Sequence, residues 1–433
     1  VLFLFFAEEV MGRIAYLAGF PQGDVHSPML QSLINRSLFT LLVLSAPLTA
    51  LAQEVADSAA PSRPAIEQID AMDLIYRGLN RKRPVSDSAE AQFSIIPGVS
   101  FAPQTGFALS AATVMAFRNP KAPRDQKMSN IIAGISYTQY HQIILPVHVV
   151  LWSRGNRLNM VLNGRYMRFP SKTWGLGPYT KPSDEYTINF NYLKLHPALL
   201  WKVRKNFYAG PVYFYDGYRR TREVNPPPGK VTDFQRYGLV PSEQASGLGL
   251  RLLVDSRRSL IKPVNGWFAS ATMRVNDKGL GSTANWNSLV LEARHYVPFP
   301  RNSRNILAFW TYNWLTLGSG RPPYLLLPSN AWDDWHNTAR GYVQGRYRGR
   351  NMLYLESEYR MEFSRNGLLG GVVFVNTQAY PDNPLKGLSR VLPAIGAGLR
   401  LKLNKYSGTN MAFDYGFGVN GSHAVSLNLG EVF

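Results

Sequence analysis

The chain has 433 residues, 36 glycines, 29 prolines, no cysteine, 17% charged residues and a formal net charge of +19. The length suffices for one large domain, and the lack of cysteine excludes a disulfide scaffold, a thiolate metal site, a cysteine nucleophile and a lipid-modified N-terminal cysteine. Basic and aromatic residues interleave at strand pitch rather than as a stacking groove, which argues against nucleic acid and leaves lipopolysaccharide phosphates as the anionic surroundings for loop Lys and Arg.

The first 52 residues read as an address. Asn35-Arg36 precedes the apolar stretch Leu38 to Leu48 and the small-residue site Ala50-Leu51-Ala52, the order of a signal peptide, which puts the mature start at Gln53. Met29 stands where such a signal begins, so residues 1–28 read as an upstream extension. Glu8, Glu9 and Arg13 interrupt the first apolar run, and no later run reaches the ~18 apolar residues of a spanning helix. Residues 53–91, rich in Ala, Ser, Pro, Asp and Arg, read as a short periplasmic tail. Within it, Ile66, Ile69, Met72 and Tyr76 share one helix face ahead of Arg81-Lys82-Arg83-Pro84.

From residue 92 the pattern changes to period two. Segments bounded by turn residues run from 92–100 and 105–118 through 408–419 and 423–433, about sixteen in all, an even count of the kind single-chain bacterial barrels have. Leu158, Met160 and Leu162 alternate with Asn159, Val161 and Asn163. In the clearest case Met352, Tyr354, Glu356, Glu358, Arg360 and Glu362 alternate with Leu353, Leu355, Ser357, Tyr359, Met361 and Phe363. One face suits hydrocarbon and the other an aqueous lumen. Later, Ile395, Ala397, Leu399 and Leu401 alternate with Gly396, Gly398, Arg400 and Lys402. A soluble sandwich would not accommodate so many strands, so the fold expected over 92–433 is all-β, a transmembrane antiparallel β-barrel. The 23 tyrosines and 22 phenylalanines suit its interfacial girdles.

The long junctions 170–184, 220–244 and 319–349 belong on the extracellular side, and short turns such as Pro103-Gln104, Arg365-Asn366 and Ser407-Gly408 on the other. Pro97 has no N–H and Gly98 has no side chain to pack, so the first strand should pair weakly with a last strand ending at Phe433. That junction would be a lateral seam. The seven histidines are scattered. His336 follows Asp333 and Asp334, but without a second ligand cluster this reads as a polar loop, and neither a metal, a cofactor nor a catalytic group is expected.

Arg340-Gly341-Tyr342 after a long loop, the Glu358-Tyr359-Arg360 strand, the Asp255-Ser256-Arg257 turn with Pro263 and Gly266, the opening Pro97-Gly98 through Gly106-Phe107 and the end at Phe433 together resemble the BamA/TamA superfamily, the bacterial surface antigen family. The resemblance covers residues 92–433. It implies a sixteen-stranded outer-membrane barrel whose loop folds into the lumen, with the arginine meeting acidic residues on the inner wall. Here those are Arg340 and Glu358, with Glu356 beside it on the same face. The family's second acidic position falls at Asn376, which accepts a hydrogen bond but carries no charge, so the resemblance implies either a weaker anchor or substitution by Asp414. Residues 53–91 are too short for a POTRA domain, so the chain is similar to a barrel-only member that recruits clients through assembly subunits in the periplasm or outer membrane, or handles something smaller. The function this implies is insertion of outer-membrane proteins, or passage of polypeptide or lipid, through the seam. The alternatives are a passive pore, an accessory subunit and, less favoured, an outer-membrane hydrolase.

Overall fold

The computed structural model describes residues 68–81, 91–117, 126–257, 259, 262–301, 303–388, 390–405 and 408–433. The signal peptide and its Ala52 cleavage site lie outside the described residues, as does Ile66. Sixteen strands account for most of the chain. They are β1 (Ala91–Ala102), β2 (Gly106–Phe117), β3 (Ser129–Thr138), β4 (Ile143–Trp152), β5 (Leu158–Thr173), β6 (Tyr186–Arg204), β7 (Phe207–Val224) and β8 (Ser242–Asp255). The second half comprises β9 (Gly266–Asn276), β10 (Trp286–Pro298), β11 (Ile306–Leu317), β12 (Asn351–Glu362), β13 (Leu369–Ala379), β14 (Val391–Asn404), β15 (Thr409–Gly418) and β16 (His423–Leu429). Each strand pairs antiparallel with the next in one sheet running from β1 to β16, and the sheet curls until β1 and β16 come within 8 Å at Cα. The result is a nearly closed all-β barrel.

Alternation decides which way each side chain points. In β12, Met352, Tyr354, Glu356, Glu358 and Arg360 are buried inside, while Leu353, Leu355, Ser357, Tyr359 and Met361 are half-exposed outside. The outer face of the barrel is apolar, with Leu109, Ile135, Leu250, Ile395, Leu399 and Phe413 all exposed, as a wall facing hydrocarbon requires. Strands β5, β6 and β7 have 16, 19 and 18 residues, whereas ~9–11 tilted residues cross a bilayer. Where they continue beyond that length, Phe169, Tyr186, Ile188, Phe190 and Tyr218 pack inside with Phe234, from the helix α2 (Asp233–Gly238), and with Tyr324 to Leu327.

The connections after β5, β7 and β11 are the long ones, and strand parity puts all three at the same end of the barrel. The sorting of short turns to the opposite end does not hold. Residues 103–105, 139–142 and 419–422 are short yet share the end with the long loops, because they too follow an odd-numbered strand.

At the other end lies the helix α1 (Ala71–Gly78). Its Asp70 and Asp73 form a capping box, each side chain accepting from the other's backbone N–H, an arrangement that satisfies two amide donors left over by the helix start. Glutamine 68, Asp70 and Asp73 hold it to the barrel through Lys402 and Lys405. The short turn Pro384–Lys386 is capped by Asn383, whose side chain accepts from the Leu385 N–H.

Pro97 pairs in register with Ala111 and Gly98 with Ser110. Among the described residues β1 and β16 form no ladder. The last strand also ends earlier than expected, at Leu429. Gly430 takes a positive φ of 92° and turns Glu431, Val432 and Phe433 into the barrel, where Val432, Phe433 and the side chain of Glu431 are buried. Phe433 therefore does not line the seam. It stacks on Trp310 at 5.2 Å, because Arg400 and Asn410 take the Glu431 carboxylate at 2.9 and 2.6 Å and draw the chain inward.

Candidate functional site: a lumen loop held at both ends

The β11–β12 loop, residues 318–350, enters the lumen instead of projecting outward. Its first part, Tyr324 to Leu327, fills the outer mouth, where Arg348 donates to the carbonyls of Tyr324, Leu325 and Leu327. A tight turn follows. Asp333 accepts from the backbone N–H groups of Asn337 and Thr338 and from the Thr338 hydroxyl, which fixes the tip without help from the barrel wall.

The return arm carries Arg340. Its guanidinium donates to Asp414 of β15 at 2.9 Å and to the Glu356 and Glu358 carboxylates of β12, and lies 3.7 Å over the Phe374 ring. Burial alone would lower an arginine's pKa, but Glu356, Glu358 and Asp414 outweigh it and hold Arg340 well above its ordinary value. The network continues outward: Arg360 donates to Glu358 at 2.6 Å, and Arg400 donates to Asp414 at 2.6 Å and to Glu431. Three arginines thus meet four carboxylates out of water, each charge paired.

Asn376 joins differently from the expectation. Its amide donates to the Arg340 carbonyl at 2.9 Å and does not accept from the guanidinium. Asp414, on the strand two ladders away, supplies the third carboxylate.

Glycine makes the approach close enough. Gly341, at φ 100°, lies against Gly416 so tightly that a Cβ on Gly416 would sit 2.8 Å from the Gly341 nitrogen, and one on Gly418 would sit 2.4 Å from the Tyr342 ring. Tyr342 then donates its hydroxyl hydrogen to the Pro393 carbonyl at 2.6 Å and accepts from the Val419 N–H at 3.0 Å.

The tip crosses to the opposite wall. There Asp334 accepts from Lys194 of β6, Arg165 of β5 donates to the Asp334 carbonyl and meets His336, and Trp335 stacks on His148 of β4 at 4.5 Å. Burial first, and Arg165 next, hold His336 well below its usual pKa. Beside this contact Asp216 gathers Tyr192, His196 and Arg274. Among the described residues no group of three or more His, Asp or Glu could hold a metal ion.

The remaining motif residues lie elsewhere. Arg257 grips Asp255 through two nitrogens at 3.0 and 3.3 Å and covers Phe268, while Pro263 and Gly266 lead the chain into β9. This turn is at the end of the barrel opposite the long loops. It braces the wall and does not touch Arg340.

Arg340, Glu356, Glu358, Asn376 and Asp414 thus converge, as do Gly341 and Tyr342 beside them. Sequence reasoning missed Glu431 and the inward tail, and it did not connect Arg360 and Arg400 to the network. Parity was the available signal for the two arginines, since both fall on lumen faces. The Lys194–Asp334 and Arg165–His336 contacts had no local signal.

No family model matches the chain, and no curated protein matches it by sequence. Solved structures do match in fold. BamA from Haemophilus ducreyi lacking POTRA domains 1–3 aligns with a TM-score of 0.52 at 14% identity, covering 80% of this chain and 74% of that one. CdiB from Acinetobacter baumannii aligns at 0.50 and 11% identity over 78% and 59%, and CdiB from Escherichia coli at 0.50 and 11% over 78% and 67%. The likeness is one of architecture: this chain has the sixteen-stranded barrel fold that BamA and CdiB have.

Proposed function

We propose that this protein is an outer-membrane barrel of the BamA/CdiB type that inserts outer-membrane proteins or passes polypeptide or lipid through a lateral seam between β1 and β16. The observation that carries the reading is that, among the described residues, no ladder joins β1 to β16, whereas every other pair of neighbouring strands in the sheet is laddered. Sheet edges are costly to expose, and closed barrels abolish them. An edge left unpaired at the seam is available to an incoming strand, or as a local break in the wall for lipid.

The lumen loop supports the same reading. Filled from the outer mouth to the Arg340 network, the lumen is poorly suited to free diffusion, which disfavours the passive pore. Cysteine pairs walked along residues 98–102 and 424–428 test the mechanism in a chain with no native thiol. Oxidation should abolish rescue of a depleted host and reductant should restore it; a locked barrel that still rescues would remove the seam from the mechanism. In the same depletion, early loss of many barrel proteins supports insertion, whereas surface-exposed phospholipid with barrel proteins intact supports lipid movement.

A further inference from the structure

The outer wall from β4 to β8 carries two prolines where a sheet tolerates them least. Pro197 of β6 and Pro211 of β7 sit on adjacent inner strands, although proline, lacking an N–H, is ordinarily kept to edge strands, and the β6–β7 ladder has no pair between Leu195↔Tyr215 and Ala198↔Val212. Both prolines face outward and are exposed, while Ala198, Leu200 and Val212 beside them are buried inside. Leu151, Met160, Leu162 and Leu199 join them around an open groove of about 440 Å³ lined by no charged side chain, within the ~300–1,000 Å³ range of ligand sites. Toward the end opposite the long loops, Trp201 is exposed on the same face. A bulge follows: Lys202 pairs with Tyr208 but Arg204 with Phe207, and the extra residue turns Arg204 to the outward face that Phe207 shares with Pro211. The turn adds Lys205. The adjoining β4–β5 turn adds Arg154 and Arg157, and the Lys202 N–H donates to the Arg157 carbonyl at 2.8 Å, which holds the two turns side by side. All four cations are exposed. Elsewhere at this end cations have acids: Arg257 pairs with Asp255, Lys262 with Glu362 and Lys405 with Asp73. Here residues 126–183 and 186–215 contain no Asp or Glu, and none of the four forms an ion pair among the described residues.

We propose that the groove holds an acyl chain of an anionic phospholipid of the periplasmic leaflet, with the lipid phosphate on Arg204, Lys205, Arg154 and Arg157. Pro197 to Arg204 covers roughly 20 Å of strand at ~3.3 Å per residue, about 15 Å along the membrane normal at a ~40° tilt, which is the depth of half a bilayer's hydrocarbon. Groove, tryptophan and cations follow one another in the order of a lipid from chain to headgroup. Four cations without a carboxylate take their counter-charge from outside the chain, and each adds to the attraction for an anionic surface. With the long loops extracellular, the site lies in the leaflet away from lipopolysaccharide, which makes phospholipid the source of the phosphate.

The inference rests on the barrel lying in a bilayer, and the test separates the two. The full chain is reconstituted in vesicles of equal phosphatidylethanolamine and phosphatidylglycerol, with folding checked by heat-modifiable migration, and the lipid that stays bound after transfer to mild detergent is read by native mass spectrometry. One phospholipid per barrel should remain, enriched in phosphatidylglycerol. Arg204→Gln with Lys205→Gln should lower that enrichment about fivefold per residue changed. Filling the groove by Leu199→Trp should remove the bound lipid, whereas Leu399→Trp on the β14 wall should not. A fluorophore at Leu399→Cys in the same vesicles reports the bilayer itself: if lipid-borne quenchers do not reach it, the membrane reading fails. If they reach it while the retained lipid is unselective, survives Leu199→Trp or is displaced by lipopolysaccharide in preference to phosphatidylglycerol, the groove proposal is overturned.

Discussion

The two ends of the lumen loop are held by opposite chemistry. At the Arg340 end the loop supplies a cation to a wall of carboxylates, Glu356, Glu358 and Asp414; at the tip it supplies the Asp334 anion to a wall carrying Lys194 and Arg165. A loop inserted the other way round would bring like charges together on both walls. Complementarity of this kind specifies orientation as much as it stabilises. The two ends also differ in strength. Arg340 is buried with three partners, whereas the Asp334 side chain is 48% exposed, so solvent screens its pair and the contact adds little. The Arg340 end is an anchor, and the tip is the part able to let go.

Breaking the anchor should have the largest effect. Arg340→Ala leaves the buried Glu356 without a cation and takes one of two cationic partners from Glu358 and Asp414, which keep Arg360 and Arg400, at a cost of about 3–5 kcal/mol to loop docking. The expected result in reconstituted protein is a rise in conductance and in protease cleavage between residues 318 and 350. Unchanged conductance would mean that the outer mouth, packed around Tyr324 to Leu327, closes the lumen without the anchor.

A steric change sharpens the comparison by leaving every charge in place. Gly418→Val puts a Cβ 2.4 Å from the Tyr342 ring, and overpacking of that kind costs about 1–3 kcal/mol. The loop should loosen less than with Arg340→Ala, and the barrel should keep its heat-modifiable migration, since valine suits a strand.

The smallest effect is expected from pH, and only at the tip. With the docked His336 held well below its usual value, both states are neutral above pH ~6.5. As pH falls below that, the undocked loop takes up a proton that the docked loop does not, so docking weakens progressively. A fluorophore replacing Trp335 should report release on acidification, and Arg340→Ala should leave the direction of that response unchanged. Stronger docking in acid would show that His336 docks protonated.

Much of the barrel was legible along the chain. The number of strands, their bounds to within a few residues and the inward face of β12 follow from period-two alternation, a local property, because adjacent residues of a strand must face lipid and lumen in turn. Glu356 and Glu358 could be assigned to the lumen for the same reason. Which carboxylates meet Arg340 was a different matter. Asp414 lies 74 residues away, and only the ladders from β12 through β15 set it opposite the loop.

What the sequence by itself determined is therefore the wall: an antiparallel barrel with one face for hydrocarbon, one for water and one long loop bearing Arg340. The tertiary structure alone decided how the lumen is filled. Residues 430–433 carry too few positions for alternation to show a direction, and they turn inward because Arg400, Asn410 and Trp310, brought together by strand register, offer Glu431 and Phe433 partners there. The loop tip crosses to Lys194 and Arg165 for the same physical reason: a buried charge goes where its counter-charge is, and that position is known only once the sheet has closed.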